Sequence, residues 1–219
     1  MIRIATVFSG IGAAEQALKQ IGIEHEIVFA CDNGERYLKQ SAEEIGSILD
    51  NFSKETREAA LRLLYESTGK PNNVKKSYFA NYEIDEERWF EDIRFVDGKP
   101  FKGTVDLFVG GSPCQSFSTY GKRKGLEDTR GTLFYDYARL IKEICPKVFV
   151  FENVTGLLNH DKGKTWETIR EVFESLNYKI TFDVLDAQYN MQRAATTLLI
   201  TKSGNKFFIF VRLLNIYVC

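Results

Sequence analysis

A single cysteine, Cys114, lies directly after a proline and close behind two glycines in the stretch FVGGSPCQSFS, residues 108–118. Free cysteine is among the residue types most often buried, so a structural role is the plainer interpretation. The glycines, however, allow the backbone to approach a ligand closely, and the preceding apolar run VDLFV ends there as a buried strand would. These surroundings favour a reachable thiol, which acts as a nucleophile once its thiolate forms.

A second chemical group follows another apolar run. Glu152 and Asn153 come abruptly after VFVF in the stretch PKVFVFENV. Polar groups at such a position are costly unless they are hydrogen-bonded or functional. Partial burial would raise the pKa of Glu152 by desolvation, so that the acid could be protonated near neutral pH. A cysteine and a carboxylic acid that face one ligand suit addition to an electron-poor ring, with the acid protonating a ring nitrogen.

Further stretches have the residue types of a nucleotide or cofactor site. Gly10 and Gly12 in FSGIG stand between a strand-like run and a helix-like run, where the backbone could approach a ligand at a helix N-terminus; a plain strand-to-helix turn is an equal alternative. Asp32 follows the next strand-like run and suits either the hydroxyls of a ribose or a helix cap. Asp92 and Ile93 suit the amine and the ring of an adenine, or are a solvated and a core residue.

Strand-like and helix-like runs alternate along the chain, which predicts an α/β, Rossmann-like fold: a mostly parallel sheet with helices on both faces. Ligands of such sheets collect beyond the carboxyl ends of the strands, where the stretches above would meet. The pattern predicts a single domain over residues 1–219 with a helical insertion at about 42–69. The expected strands are IRIATVF, the stretch HEIVFACDNG with its strand ending on Asp32, EDIRFV, VDLFVGG, PKVFVFENV and YKITFDVLDA, followed by a hairpin of TTLLIT and the run that begins FFIFV.

Composition excludes several classes of protein. The chain has 29 Lys and Arg against 30 Asp and Glu, so contact with nucleic acid would have to come from local basic loops such as GKRKG. It shows neither a signal-peptide pattern nor an apolar stretch long enough to cross a bilayer, which predicts a cytoplasmic protein with no membrane partner. The cysteines and histidines lack the spacing of metal ligands, so we expect no metal. Cys31 and Cys145 are expected in the core.

Together, the distinctive stretches resemble the C5-cytosine DNA methyltransferase family. FSGIG is similar to its S-adenosylmethionine motif, GGSPCQSFS to its Pro-Cys-Gln catalytic motif, GLEDTRGTLF to the motif after its mobile catalytic loop, and FENV to its Glu-Asn-Val motif. All four occur in the family order, over residues 3 to about 188. The resemblance implies the fold of S-adenosylmethionine-dependent methyltransferases, S-adenosyl-L-methionine as the cofactor, and double-stranded DNA with a flipped cytosine as the substrate.

The resemblance also implies roles for individual residues. Cys114 would attack C6 of the cytosine, Glu152 would bond the exocyclic amine and N3, and Asn153 would help to order the cysteine loop. C5 then takes the methyl group, a base removes the C5 proton, and the cysteine is eliminated. The family has a Gln-x-Arg-x-Arg stretch whose arginine binds the target base or its backbone. Arg193, in NMQRAATT, resembles what remains of that stretch. The positions that match cofactor contacts of the family are Phe8, Ser9, Gly10, Ile11, Gly12, Asp32, Asn33, Asp92, Ile93, Pro113 and Leu133.

The sequence departs from the family pattern after VLDAQY, where a Gly-x-Pro-Gln turn is absent, and at Asn33, where the family often has an aromatic residue on the adenine. Beyond residue 200 nothing resembles the target-recognition domain or the last motif. We therefore expect the catalytic domain of a DNA cytosine-C5 methyltransferase of restriction-modification type, either truncated or completed by a second polypeptide that supplies target recognition. The alternatives are an inactive remnant that binds only the cofactor or a partner, and cytosine-C5 methylation of tRNA.

Overall fold

The computed structural model describes residues 1–112, 133–185 and 195–202 of the chain, which build one central sheet. The strands are β1 (Ile2–Val7), β2 (His25–Cys31), β3 (Trp89–Phe90), β4 (Leu107–Gly110), β5 (Val148–Val154), β6 (Tyr178–Leu185) and β7 (Ala195–Lys202). They lie in the order β3-β2-β1-β4-β5-β7-β6. The first five strands in this order, from β3 through β2, β1 and β4 to β5, are parallel to one another. Strand β7 is antiparallel to both of its neighbours, β5 and β6.

Helices cover both faces of the sheet. They are α1 (Ala13–Gln20), α2 (Ala42–Leu49), α3 (Lys54–Glu66), α4 (Asn73–Asn81), α5 (Leu133–Ile144), α6 (Gly156–Asn159) and α7 (Lys164–Ser175). Alternate residues of a strand point to opposite faces, and each face here has its own apolar layer. Buried residues of α5 and α7 pack with one set of strand residues, and those of α1 and α4 with the other. The predicted α/β fold, mostly parallel with helices on both faces, is confirmed.

The layer beneath α5 and α7 is built largely from aromatic rings. Phe108 of β4 stacks on Tyr137 of α5 with ring centroids 5.0 Å apart. Phe149 and Phe151 of β5 contact Phe173 of α7 at 4.8 and 5.6 Å between centroids. Such large buried rings supply most of the hydrophobic stabilisation of a core. They fix β4 and β5 against the helices, and β5 carries the candidate acid Glu152.

The insertion between β2 and β3 is helical. Helices α2 and α3 lie within the stretch 42–69 that the sequence predicted as helical, and α4 follows it. Ser41 begins α2 with a capping box, in which its hydroxyl accepts from the amide of Glu44 and the Glu44 carboxylate accepts from the amide of Ser41. The pair α2 and α3 has a small core of its own, made by Ile45, Leu49, Ala60, Leu61 and Tyr65.

The register of the parallel strands aligns the ends of β1, β2 and β4 with Phe151 of β5. Val7 pairs with Cys31 on one side and with Gly110 on the other, and Gly110 pairs with Phe151. The residues that immediately follow these positions are Phe8, Asp32, Gly111 and Glu152. The sequence therefore delivers the glycine turn, the first acid, the cysteine-bearing stretch and the second acid to one edge of the sheet.

Two of the local predictions are wrong. The run EDIRFV is not a strand: β3 ends at Phe90, and Ile93–Phe95 forms a 3-10 turn, because the Asp92 carboxylate accepts from the amide of Arg94 at 3.0 Å. Cys145 is not in the core. It ends α5 in the left-handed region (φ 52), partly exposed, with its thiol donating to the Lys142 carbonyl at 3.2 Å.

The strand prediction for TTLLIT is confirmed as part of β7, but its partners are β5 and β6. The predicted second arm of the hairpin, FFIFV, lies outside the described residues. Within the described ranges, every helix is too short or too polar to cross a bilayer.

Candidate functional site

The glycine turn after β1 is held in an unusual backbone conformation. Phe8, Gly10 and Gly12 all have positive φ values, of 53, 53 and 87. Glycine adopts this region without strain, whereas at Phe8 the packing around the turn must impose it. The Gly12 amide closes the turn by donating to the Ser9 carbonyl at 3.0 Å, and α1 starts directly after it. The turn therefore aims the N-terminal end of α1 across the sheet edge.

Asp32 joins this turn to the end of β2. One of its carboxylate oxygens accepts from the Gly10 amide at 2.9 Å, and the other accepts from the Gly34 amide at 2.8 Å. The Ser9 amide donates to the Cys31 carbonyl at 3.2 Å and ties the same two segments together. Each carboxylate oxygen has a further lone pair, so Asp32 can still accept from ligand hydroxyls.

Of the three residues expected around an adenine, Asp92 and Asn33 are hydrogen-bonded within the protein and Ile93 is in the core. The Asp92 carboxylate accepts from the Tyr65 hydroxyl and from the Arg94 guanidinium, both at 2.6 Å. Ile93 is 3% exposed, in the main core. The Asn33 side chain donates to the Arg36 carbonyl at 2.9 Å. Hence the Asp92 carboxylate is engaged within the protein.

A buried polar network that the sequence did not reveal supports this region. The Arg36 guanidinium is ion-paired with Glu91, both nearly fully buried, and the Asn72 amide donates to Glu91 at 3.1 Å and to the Asp32 carbonyl at 3.0 Å. Because buried charges persist only when they are paired, Arg36 and Glu91 depend on each other. Their pairing joins residues 55 positions apart, so no local sequence pattern announces it.

A cavity of about 300 Å³ opens between the glycine turn and the ends of β4 and β5. Of the predicted site residues it brings together Phe8, Ser9, Gly10, Ile11 and Glu152. Ile11 is 64% exposed, an apolar side chain left open to solvent beside the cavity. Its other lining residues are Thr6, Val7, Ala13, Ala14, Glu15, Val109, Gly110 and Gly111.

Glu152 closes the far wall of this cavity, against the end of β4. A Cβ built on Gly111 would lie 2.7 Å from the Glu152 carbonyl oxygen and 2.8 Å from Oε2, so only glycine permits this contact. Burial raises the pKa of the Glu152 carboxyl above its ordinary value of 4.5. The shift has the direction and the cause that the sequence predicted. A neutral acid beside the cavity can donate its proton to a ligand.

Asn153 connects β5 with the stretch that leads to Cys114. Its side-chain amide donates to the Ser112 carbonyl at 2.9 Å, and its oxygen accepts from the Val154 amide at 3.0 Å. Asn153 is buried, at 4% exposure. The contact fixes the backbone two residues before Cys114, the arrangement expected if Asn153 orders the cysteine loop.

The structure does not test every predicted site residue. Cys114, Pro113 and Arg193 lie outside the described residues. Leu133 begins α5, partly buried against the main core, and does not line the cavity. In the described part of the chain no group of three or more His, Cys, Asp or Glu side chains could hold a metal ion.

The strand order, the glycine turn and the acid at the next strand end define a Rossmann-like fold. Residues 2–190 match the family model for C-5 cytosine-specific DNA methylase. Since the match covers most of the 219 residues, the chain belongs to the C-5 cytosine-specific DNA methylase family.

Relatives in this family are themselves methyltransferases by name. Orphan methyltransferase M.SPRI of Bacillus phage SPR is 39% identical over 188 residues, which are 86% of this chain and 34% of that protein. Type II methyltransferase M.Eco47II of Escherichia coli is 55% identical over 89 residues, 41% of this chain and 21% of that protein. The chain thus spans about a third of the length of the phage protein.

Solved structures agree on the fold. The crystal structure of S. pombe Dnmt2 methyltransferase superposes with a TM-score of 0.60 at 20% identity, over 95% of this chain and 53% of that one. At this identity the likeness shows the architecture alone.

Proposed function

We propose that the chain carries the cofactor-binding and base-activating part of a DNA cytosine-C5 methyltransferase. Its reaction is transfer of a methyl group from S-adenosyl-L-methionine to C5 of cytosine in DNA. The observation that carries the proposal is the position of Glu152, a carboxyl with a raised pKa on the same cavity as the glycine turn. Glu152, which would protonate the cytosine, and the glycine turn, which would bind the methyl donor, would thereby line one pocket.

The residues around the cavity fit the cofactor. A Cβ on Gly10 would meet no atom of the described residues within 4 Å, so the turn faces open space that a ligand can fill. Asp32 would accept from the ribose hydroxyls, and exposed Ile11 would be covered by the bound molecule. When bound, S-adenosyl-L-methionine supplies an electrophilic methyl group on its sulfonium sulfur.

The protein's own groups would activate the base. The Cys114 thiolate would form a bond to C6 of the cytosine while N3 takes the proton of the Glu152 carboxyl, which leaves C5 electron-rich. After C5 is methylated, loss of the C5 proton to a base expels the thiolate from C6 and restores the ring, and the N3 proton returns to Glu152. Asn153 would hold the backbone before Cys114 through the Ser112 carbonyl.

The substrate is proposed from the family and from the relatives' names. A duplex must release the target base first, because C6 and C5 cannot be attacked inside the base stack. The chain spans about a third of the phage relatives, so target recognition by further residues or by a second polypeptide belongs to the same proposal.

Covalent trapping tests this function. The chain is incubated with S-adenosyl-L-methionine and a duplex oligonucleotide that contains 5-fluorocytosine, whose C5 fluorine blocks the final elimination. The arms are the chain alone and the chain with a second polypeptide that carries the carboxyl-terminal part of M.SPRI. Cys114→Ser and Glu152→Gln are the matched variants, and binding of S-adenosylhomocysteine measured by calorimetry shows that each variant retains the cofactor site.

We expect a covalent protein–DNA adduct in at least one arm with the wild-type chain and none with Cys114→Ser. Trapping on tRNA that contains 5-fluorocytosine, with none on duplex DNA, would replace the proposal by RNA methylation. Cofactor binding without an adduct in either arm would reduce the chain to a remnant that only binds its cofactor.

A further inference from the structure

Helix α4 of the insertion lies against the glycine turn, although no motif of the site belongs to it. Tyr78 on this helix and Tyr82 directly after it are separated by one helical turn, and their ring centroids lie 4.8 Å apart. Tyr78 is fully buried, and Trp89 of β3 packs on its other side at 5.2 Å. The two phenol groups therefore contact the turn from a helix whose aromatic rings are packed against β3.

Tyr82 holds the last residue of the turn. Its hydroxyl donates to the Gly12 carbonyl at 2.6 Å, the same carbonyl that accepts from the Gln16 amide at 3.0 Å to begin α1. A Cβ on Gly12 would lie 2.1 Å from Cε2 of the Tyr82 ring, so the ring rests on the bare face of the glycine. Tyr82 thus fixes both the position and the left-handed conformation of Gly12.

Tyr78 holds the turn through Glu15. Its hydroxyl donates to Glu15 Oε1 at 2.6 Å, and the Thr6 hydroxyl lies 2.8 Å from the same oxygen and 2.9 Å from the Ser9 hydroxyl. Thr6 is a buried residue next to the end of β1, Ser9 lies in the turn and Glu15 is in the first turn of α1. One hydrogen-bonded chain therefore joins the strand, the turn and both helices.

Burying the Glu15 carboxyl at this position costs folding free energy. It is fully buried at the cavity, and its Oε2 has no hydrogen-bond partner in the part of the chain that the structure describes. Burial raises the pKa of this carboxyl above its ordinary value. A buried polar group that costs stability is retained where it positions something else.

We propose that α4 is a positioning element of the cofactor site: Tyr78, acting through Glu15, and Tyr82, acting on Gly12, hold the glycine turn in the conformation that accepts the cofactor. The inference rests on the proposed function only for the identity of the ligand, S-adenosyl-L-methionine. In this proposal the insertion between β2 and β3 contributes to cofactor binding, as the strand ends do.

The test compares three tyrosine-to-phenylalanine variants of the same chain. Tyr78→Phe and Tyr82→Phe each remove one hydroxyl that contacts the turn. Tyr178→Phe is the matched control, because the buried Tyr178 donates to the Pro146 carbonyl at 2.7 Å, at the far edge of the sheet from the turn. The measurements are the dissociation constant of S-adenosylhomocysteine by calorimetry and the melting temperature.

All three variants should lose stability, but only the two turn variants should lose affinity. We expect the dissociation constant to rise by about 3- to 10-fold for Tyr78→Phe and Tyr82→Phe, the range that one buried hydrogen bond contributes, and to stay within about twofold for Tyr178→Phe. As a rescue, Glu15→Gln retains an oxygen for Tyr78 and should bind within about threefold of wild type, whereas Glu15→Leu should not. Equal dissociation constants for Tyr82→Phe and Tyr178→Phe would overturn the proposal.

Hydrogen exchange separates this proposal from the function itself. In the unliganded chain, Tyr82→Phe should speed exchange of the Gly10 and Gly12 amides, whose acceptors are Asp32 and the Ser9 carbonyl. If the wild-type chain binds no S-adenosylhomocysteine, the proposed function fails, while faster exchange still shows that α4 holds the turn. Unchanged exchange in Tyr82→Phe would refute the positioning role whatever the ligand.

Discussion

Glu58 on α3 makes the stability of the chain depend on pH near neutrality. Burial raises the pKa of its carboxyl from 4.5 to about 7, and the negative charges of Glu91 and Asp92 add to the shift. The Glu91 amide donating to Glu58 at 3.4 Å and the charge of Arg62 oppose it. Glu58 thus contacts the backbone directly after β3, one residue before Asp92.

The sign follows from linkage. In the unfolded chain this glutamate ionises near 4.5, whereas in the folded chain it stays neutral up to about 7, so folding favours the protonated form. Its contribution to stability is fully present below about 4.5 and is lost as the pH rises through about 7. A shift of this size corresponds to roughly 3 kcal/mol, which partial solvent screening reduces to about 2 kcal/mol.

Glu58→Gln removes the ionisation while it keeps the size and the acceptor oxygen. The variant should match the wild type at about pH 4.5 and should be more stable by about 2 kcal/mol at about pH 8. Urea denaturation followed by circular dichroism at several pH values gives the difference. Glu66→Gln, an exposed position on the same helix, controls for the loss of one negative charge. A difference between Glu58→Gln and wild type that stays constant with pH would refute this reasoning.

The contacts between β4 and β5 lead to two further predictions. Asn153→Ala leaves the Ser112 carbonyl without its buried donor, so urea denaturation should show a loss of about 1–3 kcal/mol; a loss below about 0.5 kcal/mol would mean that solvent satisfies the carbonyl. Gly110→Ala and Gly111→Ala should each cost about 1–3 kcal/mol by overpacking, but only Gly111→Ala pushes against Glu152 and should also reduce trapping on 5-fluorocytosine DNA. Equal trapping by these two glycine variants at matched stability would show that the Glu152 carboxyl tolerates displacement.

Local signals in the sequence were enough to predict most of the sheet. Buried parallel strands are short apolar runs, and glycines or polar residues mark their ends, so the pattern predicted the strand ends to within one residue of Val7, Cys31, Gly110 and Val154. The strand predicted for EDIRFV was wrong because one side chain turns the chain there: the Asp92 carboxylate accepts from the backbone amide two residues on. The strand propensities of individual residues do not account for such a hydrogen bond between a side chain and the backbone.

The supporting contacts of the site could not be predicted in this way. Tyr78 and Tyr82 contact Glu15 and Gly12 across 63 and 70 positions of sequence. Tyr78 lies in α4 and Tyr82 directly after it, and this stretch carries no recognisable motif. The placement of β7 between β5 and β6 is likewise a property of the sheet, since its own residues read equally well as the arm of a terminal hairpin. Long-range packing decides both cases, and a single sequence does not contain the partners' positions.

Two separate sets of contacts hold the site, one around the glycine turn after β1 and one around Glu152, and the pairing of β1 with β4 connects them. The glycine turn is held from one side by Asp32, through the Gly10 amide, and from the other by Tyr82 on Gly12. Glu152 is held by β5, whose register with β4 is fixed by the aromatic layer. Because the glycine turn follows β1 and Glu152 lies on β5, the distance between them depends on the pairing of β1, β4 and β5. Under the proposed function, a substitution that shifts these strands against one another should therefore impair methyl transfer even if the cofactor still binds and the Glu152 carboxyl can still donate its proton.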